Sequence, residues 1–259
     1  MQTLNLTLIQ TELFWENKEV NIHHFTELID DIKDQTDVII LPEMFATGFS
    51  MKAQQLAETM DGAVVEWMKQ MAHKKQSAIC GSIIIEENSN YYNRFIWVEP
   101  DGKLKWYDKR HLFRMTGEQD FYKRGNEKII IEYKGFKIFP IVCYDLRFPV
   151  WLRRTKKIDY DLLIVVANWP ERRVAHWKTL IQARAIENQS YVAAINRVGT
   201  DGNGFIYSGE SSLVNPKGEI LFQQANESVS KTLKINLDDV MEWRKAFNAI
   251  EDADNFVIE

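Results

Sequence analysis

Short apolar runs that stop abruptly at a polar side chain or a proline constrain the fold of this chain most strongly. Residues 38–41 are apolar throughout and end at Pro42. Such a run is typical of a strand that is covered on both faces. Apolar residues recur at helical spacing on either side of it, in residues 25–32 and 64–71. The pattern therefore predicts an α/β protein built in layers.

The remaining elements follow from the same reasoning. Further strands are predicted at residues 4–10, 78–85, 92–98, 104–107, 129–133, 136–142, 162–167 and 191–196. Hairpin turns are expected at residues 101–102, 134–135 and 215–218, so parts of the sheets should be antiparallel. Helices are expected after Asn17, near Pro149 and over residues 174–189.

The sequence contains no repeat, low-complexity stretch or linker that would mark a domain boundary. We therefore expect residues 1–259 to form a single domain. The segment from about 246 to 259 has little apolar pattern of its own. It is predicted to be a tail that docks on a partner subunit.

Composition and charge exclude several classes of partner. The 259 residues include 32 Lys and Arg against 37 Asp and Glu, which gives a net charge of −5 with the basic residues scattered. Nucleic acid is therefore not expected as a partner. Neither a signal-peptide pattern nor a membrane span is predicted, so a cytoplasmic location is expected. Cys80 and Cys143 should then be free thiols.

Three predicted strands end near a side chain that can carry chemistry. Glu43 follows residues 38–42, Lys109 follows residues 104–107, and Cys143 follows residues 136–142. Reactive groups of α/β proteins often lie just beyond the carboxyl ends of strands. Taken singly, each residue also has an ordinary structural explanation: a helix cap, a solvated lysine, and a core cysteine such as Cys80 is expected to be.

The residues around these positions resemble a known family. Residues 41–44 (LPEM), 107–113 (YDKRHLF) and 142–149 (VCYDLRFP) resemble the glutamate, lysine and cysteine signatures of the nitrilase superfamily, in the same chain order. Residues 175–177 (AHW) and 184–189 (RAIENQ) resemble the helix that follows in amidases of that superfamily. The resemblance extends from about residue 4 to about residue 232.

The resemblance implies a four-layer α-β-β-α sandwich and a thioester mechanism. Cys143 would be the nucleophile and Glu43 the general acid and base. Lys109 would stabilise the oxyanion together with the backbone N–H of Tyr144. A second glutamate assists in many relatives, and Glu118 stands at the matching place. Alternatively, Glu118 could be a loop carboxylate that lies beside the basic residues 123–124.

These roles suit the chemistry of a thiol. Its reference pKa of roughly 8.5 leaves it mostly protonated at neutral pH, so it needs a base or a nearby cation to become a nucleophile.

The segments at 144–149 and 109–113 are most similar to the omega-amidase branch. Its members hydrolyse the terminal amide of 2-oxo acid monoamides such as 2-oxoglutaramate and 2-oxosuccinamate. The substrate carboxylate would need a cationic partner, and Arg147 is a candidate, with Arg172 and Arg173 as alternatives. Arg147 could instead pair with Asp145.

A site for a small acid needs a mostly apolar wall with few polar groups. The candidates for this wall are Phe113, Met115, Trp169 and His176. For His176 a packing role is the alternative.

Other functions remain open at this stage. An amidase of the same family could act on deaminated glutathione or on N-carbamoyl compounds with the same catalytic residues. A nitrile-hydrolysing enzyme is disfavoured, since Tyr144-Asp145 stands where a Trp-Glu pair is usual. A binding protein without activity, or a Cys-His hydrolase that uses His176, would belong to other classes.

Neither a metal nor an organic cofactor is expected, and His23 and His24 are interpreted as surface groups. Relatives usually dimerise through the helices after the nucleophile. A homodimer is therefore expected, through residues 149–156 and 173–189.

Overall fold

The fold was obtained as a computed structural model, which describes residues 2–258. Its strands are β1 (Thr3–Gln10), β2 (Val38–Ile40), β3 (Ala78–Glu87), β4 (Asn90–Val98), β5 (Leu104–Asp108), β6 (Ile131–Tyr133), β7 (Phe136–Val142), β8 (Leu162–Val166), β9 (Tyr191–Ile195), β10 (Val198–Thr200), β11 (Ile206–Val214), β12 (Ile220–Ala225) and β13 (Val229–Asn236). Its α-helices are α1 (Lys18–Asp30), α2 (Ala53–Leu56), α3 (Ala63–Lys75), α4 (Glu118–Phe121), α5 (Pro149–Leu152), α6 (Val174–Asn188) and α7 (Leu237–Ala246). Short 3-10 turns lie at Arg114–Thr116, Cys143–Arg147 and Glu171–Arg173.

The strands form two mixed sheets. The first has the order β13-β1-β2-β3-β4-β5, and the second has the order β10-β11-β9-β8-β7-β6 with β12 beside β11. Strands β1, β2 and β3 run parallel, as do β7, β8 and β9. Antiparallel strands complete the edges: hairpins on three of them, and β13 beside β1 on the fourth. The sheets therefore combine crossover helices with local hairpins, as the sequence pattern predicts.

The alternation of side chains along each strand explains how the first sheet is covered. Leu6 and Leu8 of β1 point into the core between the sheets, whereas Ile9 points to the opposite face. On that opposite face, α1 contributes Phe25 and α3 contributes Met68 to a second apolar cluster. Because side chains alternate with a period of two, one strand can serve both layers.

The second sheet is covered in the same way by α6. Trp177, Ile181 and Ala185 of this helix join the apolar core formed by β7, β8 and β9. Helix, sheet, sheet and helix therefore follow one another, and the predicted α-β-β-α sandwich is confirmed. Of the helices within residues 2–258, none is both long enough and apolar enough to cross a membrane.

The structure differs from the sequence prediction mainly at element ends. The β3–β4 hairpin is longer than predicted, because Asn88 and Ser89 adopt left-handed backbone conformations with φ of 51° and 59° that suit a two-residue turn. Strand β6 begins at Ile131 instead of 129. Helix α7 was not predicted, although Asn236 caps it by accepting a hydrogen bond from the Asp238 N–H at 3.1 Å.

Candidate active site

The ends of β2, β5 and β7 bring Glu43, Lys109 and Cys143 to one place. The Lys109 ammonium donates to Glu43 Oε1 at 2.9 Å, although 66 positions separate the two residues. Both side chains are buried, while Cys143 is partly exposed. Lys109 and Cys143 both line the same cavity. The structure thus assembles the three residues that the sequence singled out.

Glu43 is held in one orientation by donors on both of its carboxylate oxygens. Oε1 accepts from Asn93 Nδ2 at 2.7 Å as well as from Lys109. Oε2 accepts from the backbone N–H of Asn168 at 2.8 Å. The side-chain amide of Asn168 also donates to the backbone carbonyl of Glu43 at 2.6 Å. A carboxylate with this many fixed donors can face a neighbouring thiol without rotating away.

Lys109 lies between two carboxylates, because Glu118 is the second partner of its ammonium group. Both Glu118 oxygens accept from Lys109 Nζ at 3.0 Å, and Glu118 is fully buried. Burial alone would lower the pKa of Lys109, but Glu118 and Glu43 outweigh it and raise the pKa above its ordinary value. Lys109 is therefore a permanent cation. Glu118 belongs to this cluster and makes no pair with the basic residues 123–124.

The environment of Cys143 keeps its side chain in the thiol form. Burial raises the pKa of Cys143 well above its ordinary value, the negative charge of Glu43 raises it further, and Lys109 only partly opposes them. A thiolate therefore forms only when a base removes the proton. Glu43 is the carboxylate with the largest effect on Cys143.

Cys143 is presented on a strained turn. Its backbone is left-handed, with φ of 43°, at the start of the 3-10 turn Cys143–Arg147. Asp145 fixes the turn: Oδ1 accepts from the backbone N–H and ring Nδ1 of His111, both at 2.8 Å. Oδ2 accepts from the Tyr107 hydroxyl at 2.8 Å and from the Val142 N–H at 3.2 Å.

Arg184 holds the same turn from the α6 side, where it donates twice to the Leu146 carbonyl, at 2.7 and 3.0 Å. The second residue of the turn is Tyr144. The first backbone N–H groups of a helical turn have no carbonyl partner within the turn. The N–H of Tyr144 is one of them, so it is free to donate a hydrogen bond to an oxyanion.

A cavity of about 400 Å³ opens above these residues. Its apolar wall includes Phe49, Met51, Phe113, Met115 and Trp169. Three arginines, Arg147, Arg172 and Arg173, also line it. In residues 2–258 none of the three forms a salt bridge, and Asp201 is the one acidic residue beside them in the lining, so the cavity wall has an excess of positive charge. Three of the predicted wall residues, Phe113, Met115 and Trp169, thus face the cavity.

The structure gives Arg147 and His176 neighbours that the sequence did not predict. Asp145 is engaged with His111, Tyr107 and the strand end, so it is not the partner of Arg147. The guanidinium of Arg147 lies over the Trp169 ring, with Cζ 4.6 Å from the centroid. His176 is exposed and is not among the residues that line the cavity. It lies beside Arg147, whose Nη2 is 3.1 Å from its Nδ1.

Several residues of the site were not identified from the sequence. Asn93 lies in the middle of β4 and Asn168 just after β8, and both touch Glu43. The loop between β10 and β11 contributes Asp201, Asn203 and Phe205 to the cavity wall, and Tyr207 of β11 joins them. The sequence pattern could have indicated Asn168, since this residue follows an apolar strand in the same way as Glu43, Lys109 and Cys143 do. No three His, Cys, Asp or Glu side chains among residues 2–258 are grouped so that they could hold a metal ion.

A cysteine flanked by a fixed carboxylate and a permanent cation, in a cavity on this sandwich, defines the class as a cysteine-dependent hydrolase of carbon-nitrogen bonds. The chain belongs to the carbon-nitrogen hydrolase family, whose sequence profile matches residues 5–245.

Among curated relatives, the omega-amidase YafV of Escherichia coli K12 is 46% identical over 257 residues, 99% of each chain. The 2-oxoglutaramate amidase of Bacillus subtilis 168 is 30% identical over 250 residues, 95% of this chain and 96% of that one. A crystal structure of the CN-hydrolase superfamily protein XC1258 from Xanthomonas campestris, with an arsenic adduct in its active site, has a TM-score of 0.97 at 40% identity and covers 100% of both chains.

The reactivity of Cys143 toward iodoacetamide should depend on pH in a way that Glu43 controls. We expect slow alkylation at pH 7 that accelerates as the pH rises, because the thiol pKa is raised. In Glu43→Gln, one of the causes that raise this pKa is removed, so the midpoint of alkylation should move to lower pH. Mass spectrometry of the modified protein measures the rate. Cys143→Ala gives the background, since Cys80 is fully buried. An unchanged or higher midpoint in Glu43→Gln would contradict this assignment.

Proposed function

We propose that this protein is an omega-amidase that hydrolyses the terminal amide of 2-oxo acid monoamides, such as 2-oxoglutaramate and 2-oxosuccinamate. The observation that carries the proposal is the wall of three arginines beside the cysteine cluster, which form no salt bridge within residues 2–258 and outnumber the single acidic wall residue, Asp201. A cavity of this kind favours a small amide whose other end bears a carboxylate. The similarity to omega-amidases along the whole chain supports the same substrate class.

In the first half-reaction, Glu43 takes the proton of the Cys143 thiol as the sulfur attacks the amide carbon. A carbon-sulfur bond forms and the carbonyl oxygen becomes an oxyanion, which accepts from Lys109 and from the backbone N–H of Tyr144. Loss of one such donor typically costs about 3 kcal/mol of transition-state stabilisation. Glu43 then gives its proton to the amide nitrogen, so the carbon-nitrogen bond breaks and ammonia leaves.

In the second half-reaction, Glu43 removes a proton from water, and the resulting hydroxide attacks the thioester carbon. The carbon-sulfur bond breaks, the thiol recovers its proton from Glu43, and the dicarboxylic acid is released. The charge of Glu118 keeps Lys109 protonated in both halves. One carboxylate can serve both steps because it ends each half-reaction in the form with which it began.

The primary test is ammonia release from 2-oxoglutaramate by the purified protein. We expect release that is lost in Cys143→Ala. Succinamate and glutamine, which lack the 2-oxo group, serve as comparison substrates. If the wild-type protein alkylates at Cys143 but releases no ammonia from 2-oxoglutaramate or 2-oxosuccinamate, this substrate class is refuted. Deaminated glutathione and N-carbamoyl compounds would then be the next candidates.

The arginine wall predicts how substrate binding should respond to mutation. We propose that Arg147 and Arg173 bind the substrate carboxylate, because both are partly buried, whereas Arg172 is exposed. Arg147→Met or Arg173→Met should raise KM for 2-oxoglutaramate about 10- to 100-fold, the worth of a charge-assisted hydrogen bond. The KM for a neutral amide of similar length should change little, and Arg172→Met is the matched control. An equal rise in KM for both substrates would refute the assignment.

We further propose a cytoplasmic homodimer formed through α5 and α6, with residues 246–258 docking on the partner. The support is exposed apolar surface: Val150 is 55% and Ile186 is 56% exposed, and Val257 in the terminal segment is 89% exposed. Light scattering should give twice the chain mass, and Ile186→Glu should shift it toward the monomer. A monomeric wild-type protein at micromolar concentration would refute the proposal. A reducing compartment suits a nucleophile that must remain a free thiol.

A further inference from the structure

Asn93 occupies a central position in the catalytic cluster. It lies in the middle of β4 and is fully buried. Its side-chain Nδ2 is 2.7 Å from Glu43 Oε1 and 3.5 Å from Glu118 Oε1. Its backbone carbonyl accepts from the N–H of Lys109 at 3.0 Å. One residue therefore touches both carboxylates and the chain that carries the cation.

The two carboxylates face an electrostatic problem that Lys109 alone does not solve. Oε1 of Glu43 and Oε1 of Glu118 both lie within 3.0 Å of the same ammonium nitrogen, so the two carboxylates share one buried cation and feel each other's charge. Burial raises the pKa of Glu118, Lys109 opposes this effect, and the charge of Glu43 raises it again. Carboxylates in such proximity tend to share one proton. A shared proton would leave Glu43 unable to accept another from Cys143.

The orientation of the Asn93 amide indicates which role it has. Its Nδ2 faces the carboxylates, because an oxygen in that position would meet two acceptors. Its Oδ1 is buried without a hydrogen-bond partner among the described residues. A buried amide with an unsatisfied acceptor is unfavourable by itself. Its presence is explained by the two donors that it presents to the catalytic pair.

We propose that Asn93 is a positioning residue that prevents Glu43 and Glu118 from sharing a proton and so keeps Glu43 available as a base. The proposal rests on the catalytic roles assigned above to Glu43 and Cys143, but not on the identity of the acyl chain. The titratable groups around the pair are Lys109 from β5, Cys143 from β7 and Tyr122 after α4. Tyr122 stays neutral, because burial and then Glu118 raise its pKa.

Replacement of Asn93 by leucine keeps the branched shape of the side chain and removes both donors. Two pH-dependent readouts should then change. The acid limb of the kcat/KM profile should move up by about one pH unit, because a shared proton must be lost before Glu43 can act. The activity should fall up to tenfold at pH 7, the limit for a shift of about one unit, and recover at higher pH, with KM changed less than threefold. Alkylation of Cys143 should move to higher pH, opposite to Glu43→Gln, because both carboxylates are ionised where the thiol titrates and the donors that offset their charge are gone.

The controls separate this role from a purely structural one. Asn93→Ser retains one donor and should lie between Asn93→Leu and the wild type in both readouts, and it replaces Asn93→Leu if that variant does not fold. Asn90→Leu, at the turn end of the same strand, should match the wild type.

The alkylation readout needs no substrate, so it tests Asn93 even if 2-oxoglutaramate is not hydrolysed. A loss of activity with both pH profiles unchanged would overturn the proposal, as would unchanged activity in Asn93→Leu.

Discussion

The rest of this site depends on one buried ammonium group that is shared between two carboxylates. Lys109 donates to Glu43 and to both oxygens of Glu118, and all three side chains are almost inaccessible to water. An isolated buried charge is strongly unfavourable, so each member of this cluster requires the others. The arrangement also fixes the protonation states: Lys109 stays charged, and Cys143 stays a thiol until a base removes its proton.

The fold supplies the geometry that makes this cluster possible. Glu43 follows a central strand and Lys109 the edge strand of one sheet, and Cys143 comes from the other, so the site exists only when the two sheets pack face to face. The left-handed conformation at Cys143 is held by Asp145 beneath it and by Arg184 of α6. Strain of this kind persists only where surrounding contacts determine it. The buried polar residues near the turn therefore hold the proposed nucleophile in place.

The sequence predicted site residues where a reactive side chain directly follows a recognisable strand. The strands that end near Glu43, Lys109 and Cys143 could be predicted because an apolar run followed by a reactive side chain is visible within ten residues. Asn93 could not be identified in this way. It lies inside a strand, where neighbouring residues do not indicate the role of an asparagine. Its partners are 50 and 25 residues away in the sequence. The position of His176 beside Arg147 could not be predicted either, since it depends on how α6 packs against the nucleophile turn.

The distribution of charge in the cavity connects the site to the proposed reaction. The floor has two carboxyl groups for one ammonium, whereas the wall has three arginines for one carboxyl group, that of Asp201. A substrate with one carboxylate and one neutral amide is therefore oriented by the field itself, with the carboxylate at the wall and the amide at Cys143. Hydrolysis converts the amide into a second carboxylate beside Glu43 and Glu118. Like charges at this distance repel, so the chemical step itself weakens the binding of the product and favours its release.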